Sequence, residues 1–429
     1  MEGAIVGAVD RILAVSEGQF SADLLRVASD LIEIPSPTGE EFEVACYLES
    51  LFEGMGLKTS RQEVETGRFN IVGEISAGKG SRSLMLNAHM DTSTRGDERK
   101  DLPIGLVPTA TVEGGWLYGL GISNMKAAFA SYYGAVKLLQ EAGVTLDGRL
   151  LVSGVVGEIE KAPVGRYCGP EFRGGGCGAA YGVQHGMMAD VVVIGEPTGL
   201  RIQNGSSSFA FCKISTTGRA QHTWAREQGE DAIAKSIMLR EKLQDWEGEF
   251  QRLASDARIG ARLTVGAIEG GYPYKPSIAP APFCDLYVDL RYAPTRSVVE
   301  IRGILHECLE HIAADDPDLS AELEFYMVRN GFYLPETDPV FQLAANSHRA
   351  ASGGTTGPVA PNRYFVSADA STFTEYGMKS IVYGPGGITP SGAYQMYDDR
   401  GEVVSLENIM LCARSYAIMI ARYLGAERD

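Results

Sequence analysis

The chain alternates between two hydrophobic periods. Apolar positions recur at helical spacing in SADLLRVASDLIEI (21–34), which opens on a serine and stops at Pro35, and again from Glu40 in EEFEVACYLESLF. Continuous apolar runs follow in FNIVGEI, SLMLNAH and RLLVSGVVGE, the last after a helical stretch from about Asn124 to about Gly143. DVVVIGEPT (190–198) is a fourth run, closed by Gly and Pro. Runs that are apolar on both faces and alternate with helices predict an α/β fold, a mostly parallel sheet covered by helices on both faces. Past Glu196 the pattern changes: FAFCKISTTG, ARLTVGAIEG and PFCDLYVDLRY read as strands separated by helical stretches at about 227–245 and 297–314. That predicts an inserted α+β module over 207–328. A helix near 338–351, the run KSIVYGPGG and a last helix from about 406 to 424 rejoin the first sheet, so 1–206 plus 329–429 form one domain.

Polar residues stand where the runs stop, which is where an α/β sheet builds its sites. LMLNAHMDTST (84–94) leaves His89 and Asp91 at the end of a strand, where the ring can bind a metal and the carboxylate can orient it; a polar turn after a core strand fits the same residues. GLGISNMKAA (119–128) runs from a glycine-flanked turn into a helix, with Asn124 as ligand or N-cap and Lys126 just inside. VVGEIE puts Glu158 at a strand end, where burial would raise its pKa toward general-base work, and VIGEPTG does the same with Glu196. GRAQHTW carries His222 just after a strand of the inserted module. FRGGGCGAAYG (172–182) has neither phosphate-loop nor dinucleotide spacing and reads as a flexible loop, with Cys177 structural.

Composition narrows the partners. With 38 basic and 55 acidic residues the net charge is −17, a field that repels nucleic acid and anionic membranes. No apolar run reaches the roughly 18 to 20 residues a membrane helix needs, and Asp10 and Arg11 interrupt the first apolar stretch, as a signal core would not allow. Seven scattered cysteines without a CxxC pair fit reduced thiols in a cytoplasm. The expected partner is therefore a small molecule, with neither nucleic acid nor membrane.

Taken together, IPSPTGEE (34–41), LNAHMDT, LYGLGISNMKAA, GRLLVSGVVGE, IGEPTG, TTGRAQHTW, DLRYAP (289–294) and YGPGG (383–387) resemble, in order and spacing, the M20 family of metallopeptidases and deacylases. The resemblance implies two zinc ions sharing an aspartate, a glutamate that activates water, and a histidine of the smaller module that stabilises the tetrahedral intermediate, often across a homodimer. On this chain His89 matches a zinc ligand, Asp91 the residue that orients it, Glu158 the general base, Glu196 a zinc ligand and His222 the histidine of the smaller module. Three positions depart: the bridging aspartate is Asn124, the ligand glutamate beside the base is Ile159, and the last ligand histidine is Tyr397, or Asp398 one residue on. Isoleucine offers no ligand, and neutral asparagine cannot hold two dications together. The expectation is at most one divalent metal, zinc first, on His89, Glu196 and Asn124 with Glu160 as a further donor, or no metal at all. Arg291 and Lys275 could hold a substrate carboxylate, and Asp369, Ser371 and Thr372 could shape the pocket.

The resulting expectation is an M20-like enzyme acting on an amide, acyl or C–N bond of a small amino-acid-like substrate, with Glu158 as general acid/base and His222 as oxyanion partner. The alternatives are metal-free elimination, cyclisation or acyl transfer, or a catalytically silent small-molecule-binding relative.

Overall fold

The computed structural model describes residues 2–315, 318–359 and 368–425. Its large sheet runs, in spatial order, Lys58–Glu65, Arg68–Ala77, Gly148–Val155, Ser83–His89, Val191–Ile194 and Lys379–Val382. The last three pairings are parallel and the first two antiparallel. The expected parallel sheet is thus its centre, and an antiparallel hairpin forms one edge. Periodicity missed the outermost strand because KTSRQEVE is polar, as a solvated edge strand is. All seven residues of Ser83–His89 are buried, so both faces of the sheet are covered there. The cover includes the long helix Leu406–Leu424, packed on Ala127–Glu141 and Pro339–Ser352.

Register decides where the strands end. His89 lies opposite Val155 and Asn87 opposite Ile194 in the parallel ladders, so three central strands stop nearly level. Whatever follows each of them is delivered to one edge of the sheet. A second, small sheet at that edge joins Thr111–Glu113, Trp116–Tyr118, Gly401–Ser405 and Tyr397–Asp398, tying the C-terminal segment to the chain just before Asn124.

The described residues fall into two compact units. One comprises the chain up to Gly205, Leu334–Val359 and the stretch from Ala368 onward; the other is Ser206–Tyr333. The smaller unit therefore ends a few residues beyond the 328 read from periodicity, because Ala321–Arg329 is a strand in full and Phe332–Tyr333 follows it. Its sheet is antiparallel, ordered Arg262–Gly270, Phe283–Tyr292, Ser208–Thr217, Ala321–Arg329, and its strict alternation of buried and half-buried residues along Phe283–Tyr292 marks a sheet with one packed face. Cys212, Ile214, Leu286, Val288 and Leu290 meet Leu239, Leu243, Leu305 and Ile312 of the helices Ala232–Ala254 and Val298–Asp315 in that core. Among the described residues no helix is long and apolar enough to cross a membrane.

Candidate metal centre

The level strand ends bring three of the predicted residues together. One ligating atom each of His89, Glu158 and Glu196 lies within 4.8 Å of the other two, and all three side chains are buried. His89 ends its strand, Glu158 follows Val155 after a turn that Gly157 makes at φ +62°, and Glu196 follows Ile194. The His89 Nε2 atom is 3.7 Å from Glu196, 4.0 Å from Glu158 and 3.1 Å from the Asn124 side-chain oxygen. Asn124 reaches it from a turn, Ile122–Lys126, whose own dihedrals leave the helical region at Asn124 and Met125.

Asp91 ties this cluster to the loop that carries Glu158. Its Oδ1 accepts the Glu158 N–H at 2.9 Å, and its Oδ2 accepts from Thr38 at 2.9 Å and from the Ile159 N–H at 3.2 Å. The His89 Nδ1 atom, buried and without a hydrogen-bond partner, lies 3.6 Å from the same carboxylate. A ring drawn a few tenths of an ångström toward Asp91 would donate to it and leave Nε2 free to ligate, the arrangement metal-bound histidines adopt.

Electrostatics point the same way. Burial pushes the Glu196 carboxyl up to about 8, against the pull of His89, and the charges of Glu158, Asp369 and Asp91 push further in the same direction. Burial opposes a charge on His89, yet Glu196 and Asp91 outweigh it and hold its pKa above the ordinary value. A pocket this rich in carboxylates is stabilised by a cation.

The donor set fits a divalent metal. In a tetrahedral zinc site with ligands at about 2.0–2.1 Å, neighbouring ligand atoms stand about 3.3 Å apart, and the His89 distances to Asn124 and Glu196 need only small adjustments to meet that. Among the described residues no other group of three His, Cys, Asp or Glu side chains is close enough to hold a metal. Ile159 contributes backbone only, its N–H to Asp91 and its carbonyl to Gly175 at 2.8 Å. Burial, then the charge of Glu402, pushes the Tyr397 phenol up to about 12. Glu160 lies beyond the strand that ends at Val155 and is not among the three residues of the metal-holding group.

The other predicted residues divide between the two units. Asp369 is buried, and its charge is felt at both His89 and Glu196. The Ser371 hydroxyl donates within its own turn to Ala368 at 2.9 Å. In the smaller unit His222 and Lys275 are exposed, and Arg291 is paired with Asp289 at 2.9 Å and lies over the Phe209 ring.

Two features of the site were not read from the sequence. The glycine-rich stretch is not a loose loop but a clasp: Gly175 and Gly176 donate to Ile159 and Gly157 at 2.8 Å each, and Gly178 to Val156 at 3.1 Å. A Cβ on Gly174 would come within 2.0 Å of the Ile159 carbonyl and one on Gly178 within 2.2 Å of that of Val156, so glycine is what lets this backbone lie against the Glu158 loop. Closely spaced glycines beside a candidate catalytic loop were the available signal. The other feature is Glu402, buried in the strand Gly401–Ser405, with a carboxylate that accepts three backbone N–H groups of the Asn124 turn. In the sequence Glu402 stood only as the glutamate that, in the M20 resemblance, follows the last ligand position, with no part in the site assigned to it.

The model of peptidase family M20/M25/M40 matches residues 85–422, well over half of the chain. This chain belongs to that family. A probable succinyl-diaminopimelate desuccinylase of Staphylococcus aureus is 28% identical over 232 residues, so this M20 chain spans about half the length of that relative, 53% of each. An N-formyl-4-amino-5-aminomethyl-2-methylpyrimidine deformylase of Halalkalibacterium halodurans is 23% identical over 421 residues, covering 91% of this chain and 93% of the relative. Among solved structures, a tripeptidase from Staphylococcus aureus superposes with a TM-score of 0.70 at 18% identity, covering 94% of this chain and 98% of its own, a likeness of fold.

Proposed function

We propose that this M20 chain is an amidohydrolase that works with a single divalent ion, zinc by preference, and cleaves an N-acyl or related amide bond of a small amino-acid-like molecule. The observation that carries the reading is the buried convergence of His89, Glu158 and Glu196. His89 and Glu196, with the Asn124 oxygen, would hold the ion, a set of imidazole, carboxylate and amide donors suited to zinc. Bound there, such an ion supplies Lewis acidity toward an acyl oxygen and lowers the pKa of water. Glu158 takes a proton from the attacking water and returns it to the leaving nitrogen. Asp91 fixes the loop that aims Glu158. His222 donates to the oxyanion, a role drawn from the family motif. Lys275 is the better candidate for a substrate carboxylate, because the Arg291 guanidinium is already engaged by Asp289. The two aligned relatives are named for removing acyl groups from amines, which favours an N-acyl amine as substrate. A cytoplasmic homodimer formed through the smaller unit completes the reading.

Elemental analysis of protein purified without chelator, and again after incubation with zinc, cobalt or manganese, tests it. About one ion per chain, lost in His89→Ala, is the expected result. Two per chain would restore an ordinary dinuclear centre. None under any condition would favour the second reading, proton transfer by Glu158 and His222 without metal, which the replacements at Asn124, Ile159 and Tyr397 motivate.

A further inference from the structure

The turn that carries Asn124 is a single π-type turn, closed by the Lys126 N–H to Gly121 at 2.8 Å and the Ala127 N–H to Ile122. Within Ile122–Lys126 the backbone leaves the helical region at Asn124 (φ −122°, ψ 88°) and Met125 (φ −139°, ψ 36°), so part of its N–H set lacks helical acceptors. One side chain takes them up. Glu402 accepts from Gly121 on Oε1, and from Ser123 and Asn124 on Oε2, each at 3.0 Å. From the other end of the turn, Lys126 Nζ donates to the carbonyls of Leu31 and Ile34 at 2.8 Å each. Gly121, at φ +81°, permits the tight approach, since a Cβ there would come within 2.7 Å of Thr92.

The delivery of Glu402 is itself rigid. Its strand pairs with Trp116–Tyr118, which leads directly into the turn, and the Glu402 N–H donates to Gly105 at 3.0 Å. A Cβ on Gly105 would come within 2.5 Å of the Glu402 nitrogen, so the segments are in backbone contact. The small sheet therefore carries both the turn and the carboxylate that shapes it.

We propose that Glu402 is the positioning residue of the ion site: by fixing the Asn124 turn it sets the Asn124 oxygen beside His89 Nε2 and so tunes how tightly the ion is held, from a segment 278 residues away in sequence. The inference rests on the one-ion reading of the centre. Glutamine at 402 would turn an amide N–H₂ toward a backbone donor and break part of the set, whereas aspartate keeps the charge and shortens the reach. Carboxylates that support metal ligands indirectly typically change affinity about 10–100-fold when removed.

The test is zinc affinity by chelator competition, with the cobalt absorption spectrum recorded in parallel, on wild type, Glu402→Gln, Glu402→Asp, Asn124→Ala, His89→Ala and the Glu402→Gln/Asn124→Ala double variant. Glu402→Gln should weaken zinc binding about 10–100-fold and alter the cobalt spectrum, with Glu402→Asp intermediate. In the Asn124→Ala background the Glu402→Gln effect should shrink to about twofold or less, because both act through one donor. A merely structural role would lower the melting temperature and leave the cobalt spectrum unchanged. Wild-type affinity and spectrum in both folded Glu402 variants, or full additivity in the double variant, would overturn the proposal while the loss in His89→Ala leaves the one-ion reading standing. If Glu402→Gln does not fold, Glu402→Asp decides alone by the same criteria. A wild-type protein that takes up no ion would overturn both.

Discussion

The ends of the central strands and the His222 loop are built in opposite ways. His89, Asp91, Glu158 and Glu196 are all buried, and the loop that holds Glu158 is fixed by Asp91 on one side and by the glycine clasp on the other. His222 and Lys275 are exposed on two loops of the smaller unit, stitched together by the bridge between His222 and Ile278 and by a bond from Ala279 to Gln221 at 3.0 Å. Trp224, two residues from His222, is 91% exposed. The first region holds its groups ready in a site shielded from water, where each electrostatic interaction is worth more than in bulk solvent. The second displays groups that the surrounding unit does not need for its own packing. Losses in the first should therefore cost chemistry and charge balance, and losses in the second should cost chemistry alone.

Substitution at the buried end is the largest test of that contrast. Glu158→Gln keeps shape and removes the proton acceptor, and kcat toward the best N-acyl substrate should fall by about 10²–10⁴ with substrate analogue binding retained. Rates within twofold of wild type would sink Glu158 as general base. Unchanged behaviour in every assay would favour a silent relative.

At the exposed end, His222→Ala should lower kcat/KM by about 10²–10³, the cost of losing one oxyanion donor. Its melting temperature should fall only slightly: His222 is exposed and caps the short turn Thr223–Gln228 through one long bond, so the cost should stay at the low end of what a lost cap costs, about 0.5–2 kcal/mol. A marked fall in melting temperature, or a stability effect larger than that of Glu158→Gln, would break the comparison. That bond, the Trp224 N–H to His222 Nδ1 at 3.4 Å, is weak, so little native structure depends on it.

How far the sequence went follows from the same contrast. The central strands, the inserted unit and the convergence of His89, Glu158 and Glu196 were legible because strand ends follow from apolar runs and parallel strands end at one edge of a sheet. The polar edge strand Lys58–Glu65 was not, because its residues carry no core pattern. The glycine clasp was read as a loop because what matters there is the absence of a Cβ against a neighbouring backbone, a relation between segments that no local period encodes. Glu402 escaped for a related reason: its partners, Gly121, Ser123 and Asn124, are backbone groups of a distant turn, and a single acid in a short apolar strand announces no partner.

The smallest effect is the most specific to the buried end. With Glu196 held up at about 8 by burial first and by its acidic neighbours, the ion-free protein keeps that carboxyl protonated below about pH 8. A divalent ion binds the carboxylate, so binding displaces a proton, and affinity must rise with pH below 8 and level off above it. The sign is fixed: a raised carboxyl pKa makes acid compete with the metal, and protonation of His89, whose pKa is also raised, acts in the same direction. Zinc competition titrations from about pH 6 to about pH 9 should show a gain of about tenfold or more per pH unit below the bend. In Glu158→Gln one of the charges that raises Glu196 is gone, so the bend should move to lower pH, whereas His222→Ala should leave it in place. A bend that ignores Glu158, or that follows His222, would mean that the carboxyl setting the pH dependence of the ion is not the one buried beside His89.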